Sequence, residues 1–180
     1  MDKIITNPIT GEKVTFLKES ADTSGEYTKV MVELTPFAKG VPKHYHTAFT
    51  EEFEVLEGEM SITAGRDKKI VKEGGKVFVP INMMHTFRNH SDKPVKFTVE
   101  LRPASVGFER SIRCFFGLAR DGKTKKSGMP KSMVHLALLA KWGEGMPAWP
   151  LSVLVKMLNK KAEKAEKKGV AQELIDKYCS

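Results

Sequence analysis

Residues 40–58, GVPKHYHTAFTEEFEVLEG, decide the fold. A second stretch, residues 74–89, reads GGKVFVPINMMHTFRN. The chain has five histidines, and His44, His46 and His85 fall in these two segments. On a strand, residues i and i+2 share a face, so His44 and His46 can present both imidazoles to one point. Further on, Glu51, Phe53 and Val55 alternate with Glu52 and Glu54. If Phe53 and Val55 face a core, Glu51 faces it too. A carboxylate on an apolar face is costly unless something compensates its charge. A cation held by two histidines is such a partner. In the second stretch Gly74-Gly75 marks a turn, Lys76–Val79 a short strand and Pro80 its close. Residues 81–84 turn the chain around Asn82, a residue type that tolerates positive φ. His85 then opens a strand with His85, Phe87 and Asn89 on one face. The expectation is that His44, His46, Glu51 and His85 converge on one metal ion inside a small β-barrel. Imidazole suits Fe, Mn, Ni, Cu, Co and Zn, and carboxylate favours harder ions such as Mn and Fe. The donor set therefore implies a divalent transition metal without naming it.

Working outward, the same alternation recurs. Lys3–Thr6 and Glu12–Lys18 read as strands around a turn at residues 7–11. Tyr27–Leu34 and Glu59–Ala64 alternate, and Ile70–Lys72 returns after a charged hairpin loop at residues 65–69. Val95–Leu101 places Phe97, Val99 and Leu101 inward. About nine or ten short strands at this spacing predict an antiparallel barrel or jelly roll. After Pro103 the period changes to that of helices. Phe108–Arg120 carries a stripe of Ile112, Phe115, Phe116 and Ala119. Pro130 is read as opening a second helix through Trp142, the run from Gly143 to Pro150 as a break, and Leu151–Lys168 and Val170–Tyr178 as two more helices.

The two histidine segments resemble the paired motifs of the cupin family. The first is His44-x-His46, four residues, Glu51, six residues, Gly58. The glycine usual six positions before the first histidine is replaced by Ala38, with Gly40 nearby. The second is Gly74, five residues, Pro80, x, Asn82 in the usual glycine place, two residues, His85, three residues, Asn89. The resemblance spans about residues 26 to 103, counted from motif spacing. It implies a mainly β, jelly-roll cupin barrel over residues 1–105. Residues 106–180 form a basic α-helical extension, expected to pack on the barrel or on a partner subunit, and similar to the helical tail of some small bacterial or archaeal cupins. It further implies His44, His46, Glu51 and His85 as metal ligands.

Composition bounds the rest. At 180 residues the chain is one domain, or one domain with an appendage. Net charge is +8. Residues 1–110 hold 16 basic and 16 acidic side chains, and residues 111–180 hold 14 and 6, so the excess is all in the tail. A charge run is usually a solvated face, and the tail lacks the aromatic interleaving that stacks bases. Nucleic-acid or anionic-membrane contact is therefore the lesser reading. Two cysteines, Cys114 and Cys179, make no disulfide framework, and the N-terminus lacks an apolar leader core, so a cytoplasmic setting is expected. The longest apolar stretch, residues 146–155, is broken by prolines and too short for a bilayer span.

Three imidazoles and a carboxylate leave positions open on a five- or six-coordinate ion. Two roles stay open for Glu51, permanent ligand or catalytic base. Phe53, Val55, Met60, Phe87 and Phe97 are the pocket-lining candidates. By resemblance, cupins with this motif are often dioxygenases, so an oxidoreductase acting on a small molecule is the leading expectation. A non-catalytic ligand-binding cupin and a metal-dependent isomerase or epimerase are the alternatives. A homodimer through an N-terminal edge strand is expected from the same resemblance.

Overall fold

Alternating apolar residues drive strand after strand into two antiparallel sheets. The structure, a computed structural model, describes residues 2–147 and 154–180. The larger sheet has the order β1 (Ile4–Thr6), β2 (Lys13–Lys18), β3 (Thr28–Leu34), β10 (Val95–Arg102), β5 (Thr50–Glu57), β8 (Lys76–Val79). The smaller runs β11 (Gly145–Pro147), β4 (His44–His46), β9 (His85–Arg88), β6 (Glu59–Ala64), β7 (Asp67–Lys72). In β3 the period-two pattern is complete: Thr28, Val30, Val32 and Leu34 are buried and the residues between them are not. The inner faces share one core, with Val32, Phe53 and Phe97 from the larger sheet and Met60, Ile62 and Phe87 from the smaller.

The charged hairpin expected over residues 65–69 is shorter than that. Ala64 pairs with Asp67 and Thr63 with Lys68, so β7 begins at Asp67 and only Gly65 and Arg66 turn. An outer edge strand accepts charges on its exposed positions, and charge there discourages pairing with another chain. Two other backbone positions bear on the site. Asn82 has φ +65, the left-handed conformation its type allows, and its N–H donates to the His46 carbonyl at 2.8 Å. Gly40 has φ +60, and a Cβ there would fall on the Phe87 carbonyl oxygen. Replacing Gly40 with alanine should therefore cost about 2 kcal/mol or more, from the left-handed penalty plus a shift of β9. Chemical denaturation checks this, and a loss under about 0.5 kcal/mol, the usual size for a surface substitution, would mean the close approach is absent.

Four helices follow: α1 (Val106–Arg120), α2 (Met133–Trp142), α3 (Val155–Lys167) and α4 (Val170–Tyr178). The second starts later than expected. The Ser132 hydroxyl accepts from the N–H groups of Val134 and His135, capping the helix there, while Pro130 bridges to Thr124. Trp149, Pro150 and the expected start of the third helix at Leu151 lie outside the described residues. Helix α1 serves two cores. Its Phe116 belongs to the core between the sheets, with Phe108, Ile112 and Phe115 packed on it. Its Cys114 and Leu118 join Ala137, Leu138, Ala162 and Leu174 in a second core among the helices. The Cys114 and Cys179 sulfurs are 3.7 Å apart there, both buried and free.

The stretch expected to be a break differs most. Gly145–Pro147 is a strand, antiparallel to β4, with Gly145 opposite His46 and Pro147 opposite His44. Strand β4 otherwise shares a single pair, His44 with His85, with β9. Its other edge would be open without the tail.

Candidate metal centre

The smaller sheet supplies three imidazoles. His44 and His85 are directly paired across β4 and β9, which brings their ring centroids to 4.3 Å. His46, two residues on, points the same way and stacks on Phe49 at 4.3 Å. Ring nitrogens of the three all lie within 4.8 Å of one another. From the facing sheet β5 brings Glu51 inward in register with Phe53 and Val55. Its Oε2 is 2.7 Å from His85 Nε2 and 3.7 Å from His46 Nε2. The four side chains named from the sequence thus meet between the sheets. His90 and His135 are not among them.

The donor atoms are set to accept a cation. His44 Nδ1 lies 2.8 Å from the Pro42 carbonyl and His85 Nδ1 3.0 Å from the Met83 carbonyl, so each neutral ring donates there and turns a bare Nε2 lone pair inward. His44 Nε2 and His46 Nε2 are 3.1 Å apart. Two ligands held about 2.1 Å from a metal at a right angle stand about 3.0 Å apart. His85 Nε2 and Glu51 Oε2, though close, are not aligned as a hydrogen bond, and both are buried without another partner. Buried polar atoms converging without partners call for one, and an ion between them would supply it. Imidazole and carboxylate in this number fit a divalent transition metal.

Electrostatics favour the coordinating state at His44, His46 and Glu51. Burial, helped by the neighbouring imidazoles, pushes His44 down to about 4. Burial also lowers His46, against the pull of Glu51. For Glu51 burial alone would raise the carboxyl, but the His85 contact and the adjacent imidazoles outweigh it and hold it below the usual range. Burial lowers His85 in the same way, and Glu51 overcomes it, raising the ring. His85 is thus the one ring of the three whose protonated form its surroundings favour, and a metal held there would compete with that proton.

This centre opens into a cavity of about 260 Å³. Phe53 and Phe87 line it as expected from the sequence. Val55, Met60 and Phe97 instead pack in the core between the sheets and do not line the cavity. Sequence reasoning missed the wall made by the tail. Phe108, Ile112 and Phe115 of α1, Leu139 and Ala140 of α2, and Gly145 of β11 close the cavity. The stripe on α1 was visible, but nothing in it said what it would face.

The Cupin domain family model matches residues 30–100. That span holds both histidine segments and the strands that carry all four converging side chains. Residues 30–100 are similar to a cupin domain. A solved structure with the same fold is an RmlC-like cupin from Shewanella frigidimarina NCIMB 400, 22% identical, with a TM-score of 0.50, covering 58% of this chain and 86% of that one. Two curated fungal proteins, from Penicillium expansum and Aspergillus clavatus, carry the name "Probable oxidoreductase patJ". Each is 35% identical to this chain over 80 residues, 43% of its length. The chain spans about a quarter of the length of these relatives, 24% and 25% respectively. No helix among the described residues is long and apolar enough to cross a membrane.

Proposed function

We propose that the chain is a metal-dependent enzyme, of dioxygenase-type oxidoreductase class, that acts on a small molecule in the cavity beside the histidines. The observation that carries this reading is the meeting of three Nε2 atoms and one carboxylate oxygen at the wall of a mostly apolar cavity. His44, His46, His85 and Glu51 would hold the ion. A redox ion such as Fe(II) would supply dioxygen chemistry there, and a Lewis-acid ion isomerisation or decarboxylation. The chain's own contribution is positional. The Pro42 and Met83 carbonyls fix two ring orientations, and the aromatic walls from β5, β9 and α1 exclude water from the reacting face. Glu51 is the one carboxylate among the four donors and, released from the ion, the candidate base. The name of the fungal relatives supports oxidoreduction. The free buried cysteines fit a reducing, cytoplasmic setting. The edge strand β1, with Ile4 exposed, is where we place a homodimer contact, and a monomer by light scattering would remove it.

The test begins with elemental analysis of protein purified without added metal, where stoichiometric Fe, Mn, Ni, Co, Cu or Zn is expected. Protein loaded with Fe(II) is then followed with an oxygen electrode across a panel of small apolar phenols, catechols and carbonyl compounds. At least one should drive oxygen uptake that a His46→Ala variant cannot support. Retention of a panel compound without conversion, with every metal tried, would replace this reading with a non-catalytic ligand-binding cupin.

A further inference from the structure

One carboxyl in the cavity is not part of the metal centre. Glu12 immediately precedes β2, and alternation puts it on the same face as Val14 and Phe16, both buried. It lines the cavity beside Val14, Val32 and Val41. Apart from the four converging side chains, Glu12 and Ser111 are the only polar side chains in that lining among the described residues. The Ser111 hydroxyl is committed, donating to the Leu139 carbonyl at 3.0 Å. The Glu12 carboxyl makes no hydrogen bond or ion pair with any described residue. Its neighbour Lys13 points to the other face of the sheet, where it pairs with Glu33.

Register places Glu12 at the opposite end of the cavity from the histidines. Lys13 pairs with Glu33 of β3, while Glu51 lies across from Leu101, which pairs with Thr28 of β3. Five residues of strand separate those rows, about 17 Å of backbone at about 3.3 Å per residue. The space between is walled by Val30, Val99, Phe53 and Phe87. The cavity is thus apolar along its length and polar at its two ends. Glu12 is half-buried and its carboxyl has no protein partner, so only water serves it in this apolar wall, and a ligand donor would take the place of that water.

We infer that Glu12 reads the far end of the ligand, and that the ligand is an elongated, mainly apolar small molecule with a metal-coordinating oxygen group at one end and a hydrogen-bond donor, an ammonium or hydroxyl group, at the other. The inference rests on the metal-centre reading above. Glu12 is here a specificity-determining residue, and the chemistry takes place at the other end of the ligand.

Burial alone pushes the Glu12 carboxyl up to about 7, with no charged side chain contributing. That gives a check needing neither metal nor ligand. In the unfolded chain the group titrates at the usual glutamate value of 4.5. Between that value and about 7 the folded state holds the extra proton, so stability falls as pH rises and the penalty is complete above the folded value. A Glu12→Gln variant lacks this penalty. Its thermal midpoint should match the parent near pH 4 and exceed it by several degrees near pH 8. A constant difference across that range would take Glu12 out of the cavity and overturn the inference.

The ligand test uses straight-chain hydroxamates, whose head group chelates divalent metals, on Zn(II)-loaded protein. One series ends in a methyl group and the other in a primary amine, with increasing chain length, and binding is measured by calorimetry. At one chain length the amine should bind about tenfold to a hundredfold tighter than its methyl counterpart, the worth of a charge-assisted hydrogen bond. Glu12→Gln should abolish that advantage and leave the methyl series unchanged. Equal binding of both series at every length, or an amine advantage that survives in Glu12→Gln, overturns the role of Glu12 and leaves the metal centre standing. Failure of both series to bind overturns the two readings together.

Discussion

Replacing His46 with alanine is expected to abolish metal retention and leave the fold intact. Loss of an outer partner that merely orients a ligand weakens metal affinity about 10- to 100-fold. Loss of the ligand itself should exceed that, so protein carried through desalting should lose its stoichiometric ion. The fold should survive because His46 sits at the cavity wall, and the strand it occupies is held on both edges, by β9 and by β11. The His46 carbonyl, which accepts from the Asn82 N–H, is unaffected by the change. Elemental analysis and circular dichroism on the same sample give the answer. A folded variant that still carries one equivalent of metal would mean that the ion is held elsewhere, and His44, Glu51 and His85 would need reassignment.

Replacing Arg113 with alanine is expected to destabilise the whole chain by about 3 kcal/mol, the usual loss when one member of a buried ion pair is removed. Arg113 is 3% exposed, pairs with Glu19 at 2.9 Å and lies over the Phe16 ring at 3.6 Å. Without it the buried Glu19 carboxylate keeps only Lys3, which is largely in water. Phe16 also loses the cover of the guanidinium. At this chain length the change corresponds to a fall of roughly 10 °C in the thermal midpoint. An Arg113→Met variant keeps the packing over Phe16 and separates that contribution from the charge. The residue matters for function because it ties α1, which walls the cavity, to β2. Glu109 on the same helix does similar work, accepting from the Ser20 N–H at 2.7 Å and the Thr28 hydroxyl at 2.6 Å. A midpoint unchanged in Arg113→Ala would show that the docking of α1 does not depend on the Arg113–Glu19 pair.

Much of the centre was legible because its logic is local. His44 and His46 share a face by strand period, Glu51 inherits its direction from Phe53 and Val55, and Asn82 announces a turn by its residue type. The alternation in residues 28–34 and 95–102 likewise needs only the backbone period. Helix start and strand start were less legible at Pro130 and Lys68, because capping by Ser132 and pairing with Thr63 depend on partners.

What the sequence determined by itself, then, was most of the strands before residue 103, the inward-facing donor residues and the helical character of the tail, since strand and helix periods are properties of neighbouring residues. What only the tertiary structure decided was the use made of the tail. Gly145–Pro147 carries no strand period and becomes a strand only because β4 offers an open edge for its backbone groups. Cys114 meets Cys179 across 65 residues of chain, and Glu12 becomes a lone carboxyl only once α1 and α2 close the apolar space in front of it. Such outcomes depend on which surfaces are left unpaired after the sheets form, and that is a property of the whole fold.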